Sequence, residues 1–595
     1  MYRKIILLGF FLTLFHAFSQ DSPEATAERL DTVILTGHRL YPLTYSLTPV
    51  TPIRVEENLF RHTGRIEDLI SGVPGLEIRR RGTGDIQSDV YIQGGHYEQT
   101  GIAIDGVPLN DLQSGHHNMN LPLPVQAIGQ IEIIKGPAAR IFGQNAMTGM
   151  LRFKTRDIDR DSILVQLTGG AFGTYGWAVS GSRNSGDSGV LFAFDRKVSD
   201  GYRYNSDYRI HRYFMKYRTG TANISAAFAR RAFGANGFYA SPDYKDQYEE
   251  TQTAFISASY DILSENSKWT HTVFWKFNHD DYVFLRYNPA YYHNVHSTHL
   301  FGYKTDVTVT GKLGTSGLGL EILPGVITSS NLGDHRKNAI RLYAEQDMKW
   351  KKFRFQPGMV LSYESDFGVV FLPGINAGYK LSPHVWLYTD MGLTSRNPTY
   401  TERFYNSPAE SGNPDLEPER ASGIHTGAHI HTGKLEIRPG IFYRKVNQAI
   451  DWVRDEAQDK WMCDNIDEVT AQGAGCYFRY SASGKYLSHR WEGGYSYLDE
   501  SAGTQTRYFL HTYKHLVSLN WKTDYRKFLS GSLRYEYRAF PGGEETHLLN
   551  ATGVLRTRTG TWSITAYNLL DFHYTGANLV PMPGRHLMLT WSAGL

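Results

Sequence analysis

From about residue 160 to the C-terminus, hydrophobic and polar positions alternate with a period of two. In the last segment Leu587, Leu589, Trp591, Ala593 and Leu595 share one face, against His586, Met588, Thr590, Ser592 and Gly594 on the other. Val190–Phe194 and Leu435–Val446 repeat the pattern: one apolar or aromatic face, one mixed face. Each strand signal is weak by itself, as expected of strands that face lipid on one side and a polar lumen on the other. Short polar or Gly-containing turns punctuate the region near residues 184–188, 218–221, 264–267, 312–316, 350–352, 382–384, 432–434, 483–485, 523–526 and 558–561. Successive turns are roughly 30 to 50 residues apart, enough for two strands and a longer loop. Ten short turns separate eleven up-and-down pairs and so predict 22 strands. A propeller or stacked sandwiches would also show many short strands, but no internal repeat of a blade is present. Closing one barrel removes the sheet edges that so many strands would otherwise expose. The predicted fold is a membrane all-β protein, a 22-stranded transmembrane β-barrel over residues 157–595.

Residues 59–156 follow a different pattern, that of a compact α+β unit. A short helix is predicted at Arg65–Ile70, ended by Gly72 and Pro74. Strands are predicted at Leu76–Arg79, Val90–Gln93, Ile102–Asp105 and Ile131–Lys135, with Asp105-Gly106 as a hairpin turn. Upstream, Arg3 and Lys4 precede an apolar run from Ile5 to Phe15 and then Ala17-Phe18-Ser19, the layout of a secretory signal peptide over residues 1–19. Eleven apolar residues are too few to span about 30 Å of hydrocarbon. Residues 20–58 are read as an N-terminal segment.

Composition narrows the function. Lys+Arg 62 against Asp+Glu 59 leaves +3 over 595 residues, which argues against a nucleic-acid partner. Mean hydropathy of −0.40 is too polar for a helical membrane bundle. Two cysteines exclude a disulfide scaffold. If Cys463 and Cys476 share one continuous strand they lie roughly 43 Å apart and cannot bond; if a loop intervenes, an oxidising location would favour a bond. No paired carboxylates, Ser-His-Asp set or HExxH motif follows from local spacing, which leaves open only a triad assembled from distant positions.

Four places resemble the TonB-dependent outer-membrane receptors. Asp31-Thr32-Val33-Ile34-Leu35-Thr36-Gly37 is similar to the family's TonB box, and closest to that of the vitamin B12 transporters. A β-branched segment beside a polar N-terminus is suited to adding as a strand to a partner's sheet. Val73-Pro74-Gly75, Val90–Gly95, Ile104–Asp111, Ile131–Ala138 and Phe142–Ala146 resemble the family's plug in order and spacing. Gly136–Gly143 lacks the Lys-Ser/Thr of a phosphate loop. Ser395–Pro398 and Gly412–Glu419 resemble paired boxes in the middle of these barrels, with no His between them, which counts against haem. Asn568–Asp571 and Pro581–Arg585 match the last two strands, although the chain ends on Leu595 rather than an aromatic residue.

The resemblance implies active import without a required cofactor and without covalent chemistry, so no enzyme activity is expected. A small chelate would bind from outside, and TonB, with its inner-membrane energising complex, would pull on residues 31–37. Outer-membrane lipid would surround the barrel, and a surface lipoprotein is a further candidate partner. Only Gln20–Leu30 precede the box, and the barrel allows roughly 20 residues per strand, so a compact receptor is expected. A corrinoid is the first-choice cargo and a ferric siderophore the second, with haem behind both. A barrel for adhesion or envelope assembly is the rival from another class.

By the same analogy the loop Asp111–Asn118 faces outward, making Gln113, His116, His117 and Asn118 candidate ligand contacts. Tyr202, Tyr204, Tyr239 and Tyr244, in long-loop segments with Tyr208 and Tyr248, present flat faces with polar tips suited to a ring-containing ligand. The plainer role for these rings is an aromatic girdle. Asp200, Asp207, Asp243 and Asp246 are candidate loop Ca²⁺ ligands, or simply solvated carboxylates. His425, His429 and His431 could hold a metal, but their position beside the 432–434 turn puts them at the periplasmic rim, where lumen-facing polar residues are ordinary.

Overall fold

The computed structural model describes residues 50–239, 242–455, 460–503, 507 and 512–594. The predicted signal peptide and TonB box therefore lie outside the described residues.

Strands from Ser162–Gly170 to His586–Gly594 close a barrel in which every consecutive pair is antiparallel and the last strand bonds to the first. Apart from the two-residue segment Glu410–Ser411, the strands number twenty-two. Each of the ten predicted turns falls on a tight connection, such as those between Thr174–Ser185 and Ser188–Ser199 and between Glu545–Thr557 and Gly560–Tyr567. Short turns mark the periplasmic end of such barrels and long loops the extracellular end.

The barrel's exposure pattern is the inverse of a soluble protein's. Leu342, Leu589, Met215, Val273 and Phe371 are about half exposed, whereas Arg212, Lys304 and Glu321 are fully buried. In water such a surface would be an aggregation site; facing hydrocarbon, it is the stable arrangement. Replacing Leu342, in the middle of its strand, with Arg is expected to cost about 2–4 kcal/mol. Urea unfolding in lipid vesicles measures it, and a cost below about 1 kcal/mol would place Leu342 outside the hydrocarbon.

The lumen holds the α+β unit. Strands β1 (Val50–Arg54), β4 (Thr100–Ile104), β5 (Val107–Pro108), β6 (Ile128–Lys135) and β7 (Gly149–Thr155) form a sheet in the order β1-β6-β7-β4-β5. Strands β2 (Leu76–Arg80) and β3 (Ser88–Ile92) form a separate hairpin, and helix α1 spans Ile66–Ile70. Asp105 and Gly106 turn β4 into β5 with φ of 45° and 82°, the paired positive values of the predicted hairpin. Two strands depart from expectation. β1 lies in the segment assigned to the N-terminal extension, so the sheet begins before residue 59; Pro52 is tolerated there because β1 is an edge strand bonded only to β6. β7 sits in the centre of the sheet and was not predicted, because Arg152 and Lys154 interrupt its apolar run. Arg152 is buried and pairs with Glu132 at 2.8 Å across the β6–β7 ladder. Leu151 and Phe153 on β7 join an apolar core that also takes Phe214, Phe255 and Phe274 from the barrel's inner face.

Candidate extracellular site between plug and loops

The loop after β5 faces the long-loop end of the barrel, as expected. Asn110 anchors its start, accepting from the Ile102 amide at 3.0 Å and donating to the Thr100 carbonyl at 2.9 Å. Asp111 then accepts from Lys276 Nζ at 2.7 Å and Thr298 Oγ1 at 3.0 Å, both on barrel strands. Although burial opposes ionisation, the Lys276 ammonium holds the Asp111 carboxyl below its ordinary range.

The four candidate ligand contacts in this loop have protein partners. Gln113 donates to Asp280 at 2.8 Å, and Asn118 accepts from the Asp111 amide at 2.9 Å. His117 is buried 3.4 Å from Asp280. His116 stacks on Tyr97 with centroids 4.2 Å apart and bonds to Asp89 at 2.9 Å and the Tyr97 hydroxyl at 3.1 Å. Gln113, His117 and Asn118 are each less than a tenth exposed, so a ligand touches them only after the loops above move.

His116 and His117 are neighbours with opposite electrostatics. Burial lowers the pKa of His116 and outweighs the opposing Asp89 carboxylate. For His117 burial also disfavours the cation, but Asp280 more than compensates and the pKa rises to about 9. A His raised above its unfolded value of about 6.5 stabilises fully below that value, and the contribution is lost as pH rises through 9. Amide hydrogen exchange in residues 111–120, corrected for intrinsic rates, is expected to accelerate between pH 7 and 10 in the wild type. The His117→Gln variant should lack that step, and an identical profile in both would refute the assignment.

A segment of the barrel covers this loop. Helix α2 (Tyr400–Phe404) starts with a reciprocal cap: Thr399 accepts from the Glu402 amide, and Glu402 accepts from the Thr399 amide at 2.7 Å. Its first two amides donate to the carbonyls of Leu112 and Gln113 at 3.1 and 3.0 Å. Arg396, fully buried, clamps the arrangement by pairing with Glu402 at 2.8 Å and Glu419 at 2.9 Å. Gln99 of the plug donates to the same Glu419 at 2.9 Å. Nearby Glu98 accepts from the Gly115 amide at 2.7 Å, and burial with the adjacent Glu402 carboxylate raises its pKa to about 8. None of Glu98, Arg396, Glu402 and Glu419 was assigned a role from sequence, though three lie in or beside the paired boxes. The Thr399-x-x-Glu402 spacing was the available signal for a helix start. Beside this lid a cavity of about 70 Å³ reaches Asn110, Gln144, Lys337 and Arg403, room for a few waters only.

The predicted tyrosines divide. Tyr239 joins the buried cluster, its hydroxyl donating to Gln87 at 2.7 Å and its ring 6.3 Å from His116. Tyr208 is buried against Gly84 of the plug. Tyr202 bonds the Pro581 carbonyl at 2.6 Å. Tyr204 and Tyr244 are 66% and 49% exposed, and with Tyr287 and Tyr291 they make an aromatic rim on the extracellular loops, above the membrane girdle. The aspartates do not converge: Asp207 pairs with Arg286 at 2.6 Å and Asp246 accepts from Tyr204 at 2.6 Å. Among the described residues no group of three or more His, Cys, Asp or Glu could hold a metal ion. That includes the histidine set near the 432–434 turn, where His429 bonds to Glu436 at 3.0 Å. Cys463 and Cys476 lie on one strand, Lys460–Ser483, and are free thiols.

A closed barrel with an apolar outer belt and a folded domain bonded inside its lumen is a plugged outer-membrane receptor of a Gram-negative bacterium. Comparison with known proteins gives the family. The model "TonB dependent receptor-like, beta-barrel" matches residues 161–586, and "TonB-dependent Receptor Plug Domain" matches residues 45–150. This chain belongs to the TonB-dependent receptor family. It is 22% identical over 471 residues to the vitamin B12 transporter BtuB of Vibrio vulnificus, covering 74% of each chain. Among solved structures it resembles the siderophore receptor PirA of Pseudomonas aeruginosa (TM-score 0.73, 14% identity, 92% of this chain and 99% of that one). It resembles the copper transporter OprC similarly (TM-score 0.76, 13% identity, 92% and 99%). Membership brings TonB as the energising partner and a small molecule as the ligand. These receptors are transporters rather than enzymes.

Proposed function

We propose that this protein imports a corrinoid across the outer membrane, driven by TonB acting on residues 31–37. The observation that carries the corrinoid over other chelates is the similarity to BtuB, which extends over three-quarters of both chains. The aromatic rim agrees with it: rigid rings with polar tips suit a large, flat, amide-bearing ligand. The ligand would first meet Tyr204, Tyr244, Tyr287 and Tyr291, and then displace the lid formed by α2. Opening the lid breaks the two bonds from α2 to Leu112 and Gln113. Energy from TonB is needed afterwards, because the plug is tied to the barrel on several sides: Arg212 to Asp85, Lys276 to Asp111, Arg534 to the Asp68 carbonyl and Tyr567 to the Asp68 carboxylate.

Calorimetry on the detergent-purified protein with cyanocobalamin, a ferric siderophore and haem tests the cargo. Submicromolar binding of cyanocobalamin alone is expected. Binding of only the ferric chelate would replace the corrinoid reading with a siderophore receptor of the same family.

A further inference from the structure

Another cavity of about 70 Å³ lies between the plug and the wall, reaching toward the periplasmic end. Tyr388 and Arg438 line it close above the short turns at 382–384 and 432–434, and Val50 and Thr51 of β1 line its plug side. Lys135 of β6 and Arg438 face it together with His425, and among the described residues no carboxylate lines it.

Polar atoms without partners converge there. His425 is 5% exposed and Gln93 7%, yet His425 Nδ1 and Gln93 Oε1 have no hydrogen-bond partner. Both stand beside Gly136, within 3.7 Å of where a Cβ on that glycine would lie. Gly75 and Gly440 keep the neighbouring space open. A Cβ on Gly75 would come within 3.4 Å of Lys135 Nζ, and one on Gly440 within 2.9 Å of His425 Nε2 and 3.3 Å of the Tyr388 hydroxyl. Buried polar atoms left unpaired are costly, and a place reserved for a ligand explains their retention.

The charges are likewise unbalanced. Lys135 donates to the Pro74 carbonyl, a neutral group, and burial with the adjacent Arg438 lowers its pKa to about 8. Glu436, which accepts from Arg438 Nε at 2.7 Å, is shared with His429 at 3.0 Å and Arg479 at 3.4 Å. The cavity keeps a positive field that an anion would relieve.

We propose that Lys135, His425 and Arg438 form an exit subsite for a phosphate group, filled by the phosphodiester of the cargo as it leaves the plug. The assignment to cargo rests on the corrinoid reading, because a corrinoid with its nucleotide loop carries a phosphodiester and amide arms. Donors from both plug and wall suit the oxygens of a tetrahedral phosphate, and Gln93 Oε1 accepts from an amide N–H beside it. Arg438 also donates to the Val50 carbonyl at 2.7 Å, so displacing β1 turns that donor to the phosphate.

Two measurements on the full chain separate the site from its occupant. Phosphorus NMR line broadening of inorganic phosphate, with the protein in detergent, should show binding by the wild type and about tenfold weaker binding by Lys135→Gln. Lys434→Gln, in the exposed turn nearby, should match the wild type. Equal binding by wild type and Lys135→Gln would overturn the site, whatever the cargo is. In cells, Lys135→Gln should slow uptake of cyanocobalamin about tenfold without changing its calorimetric affinity. Uptake of dicyanocobinamide, which has the corrin ring but no phosphodiester, should stay within about twofold of wild type. Equal slowing of both corrinoids, or of neither, would overturn the assignment to cargo. Wild-type cells that import neither would sink the corrinoid reading and the cargo assignment with it, and the phosphate measurement would still decide the site. Heat-modifiable gel migration reports whether the variants fold. If Lys135→Gln does not, His425→Phe, which keeps the bulk of the ring, should weaken phosphate binding about threefold.

Discussion

Deleting residues 31–37 is expected to abolish ligand uptake while leaving ligand affinity unchanged within about twofold. Under the proposed function the ligand binds at the extracellular loops and residues 31–37 serve TonB, so the two quantities separate. Along the chain the deleted segment precedes β1. β1 is an edge strand with five register pairs to β6, and its Val50 carbonyl accepts from Arg438 at 2.7 Å. An edge strand gives up its single ladder, here that with β6, without disturbing the pairings among β6, β7, β4 and β5. Whole-cell accumulation of labelled cyanocobalamin, beside calorimetry on the purified deletion protein, separates the outcomes. Continued uptake would refute the box assignment. Loss of binding would mean that the segment also shapes the site.

Arg212→Met is expected to weaken the plug's attachment by about 3–5 kcal/mol. Arg212 is fully buried and pairs with Asp85 of the plug at 2.7 Å and Asp195 of its own wall at 2.6 Å. It also donates to the Gly64 carbonyl at 3.2 Å. Removing the guanidinium leaves two carboxylates in a site built for a cation between them. Burial alone would raise the Asp85 pKa, but Arg212 lowers it below its ordinary range. That contribution is present above the unfolded value near 3.9 and is lost as pH falls below it. The barrel should survive, since its strands are bonded to one another and not through Arg212. Planar-bilayer recordings should therefore show ion-conducting openings in the variant at urea concentrations where the wild type stays closed. Identical closure in both would show that the remaining plug contacts suffice.

What could be read from the chain followed the range of the physics involved. A strand's alternation is local, and so is a tight turn, which is why all ten turns and the strand number were legible. The hairpin at Asp105-Gly106 and helix α1 were legible for the same reason. β7 was hidden because Arg152 looks like a surface residue until Glu132 is placed opposite it. β1 was hidden because Val50–Arg54 contains a proline and adjoins a segment with no pattern of its own. The loop Asp111–Asn118 was correctly placed toward the outside. Its side chains were expected to await a ligand, yet Asp280 and Asp89 already hold two of its histidines.

The sequence by itself determined that this is a lipid-facing barrel of 22 strands around an α+β plug, because period-two alternation and turn residues act over a few positions. Only the tertiary structure decided which charges meet. Asp68 is bonded by Tyr567 across 499 residues, and Gln99 reaches Glu419 across 320. It also decided that Arg396 closes a lid between Glu402 and Glu419. Such pairings depend on barrel closure and strand register, which bring distant residues into contact, and no spacing along the chain encodes them.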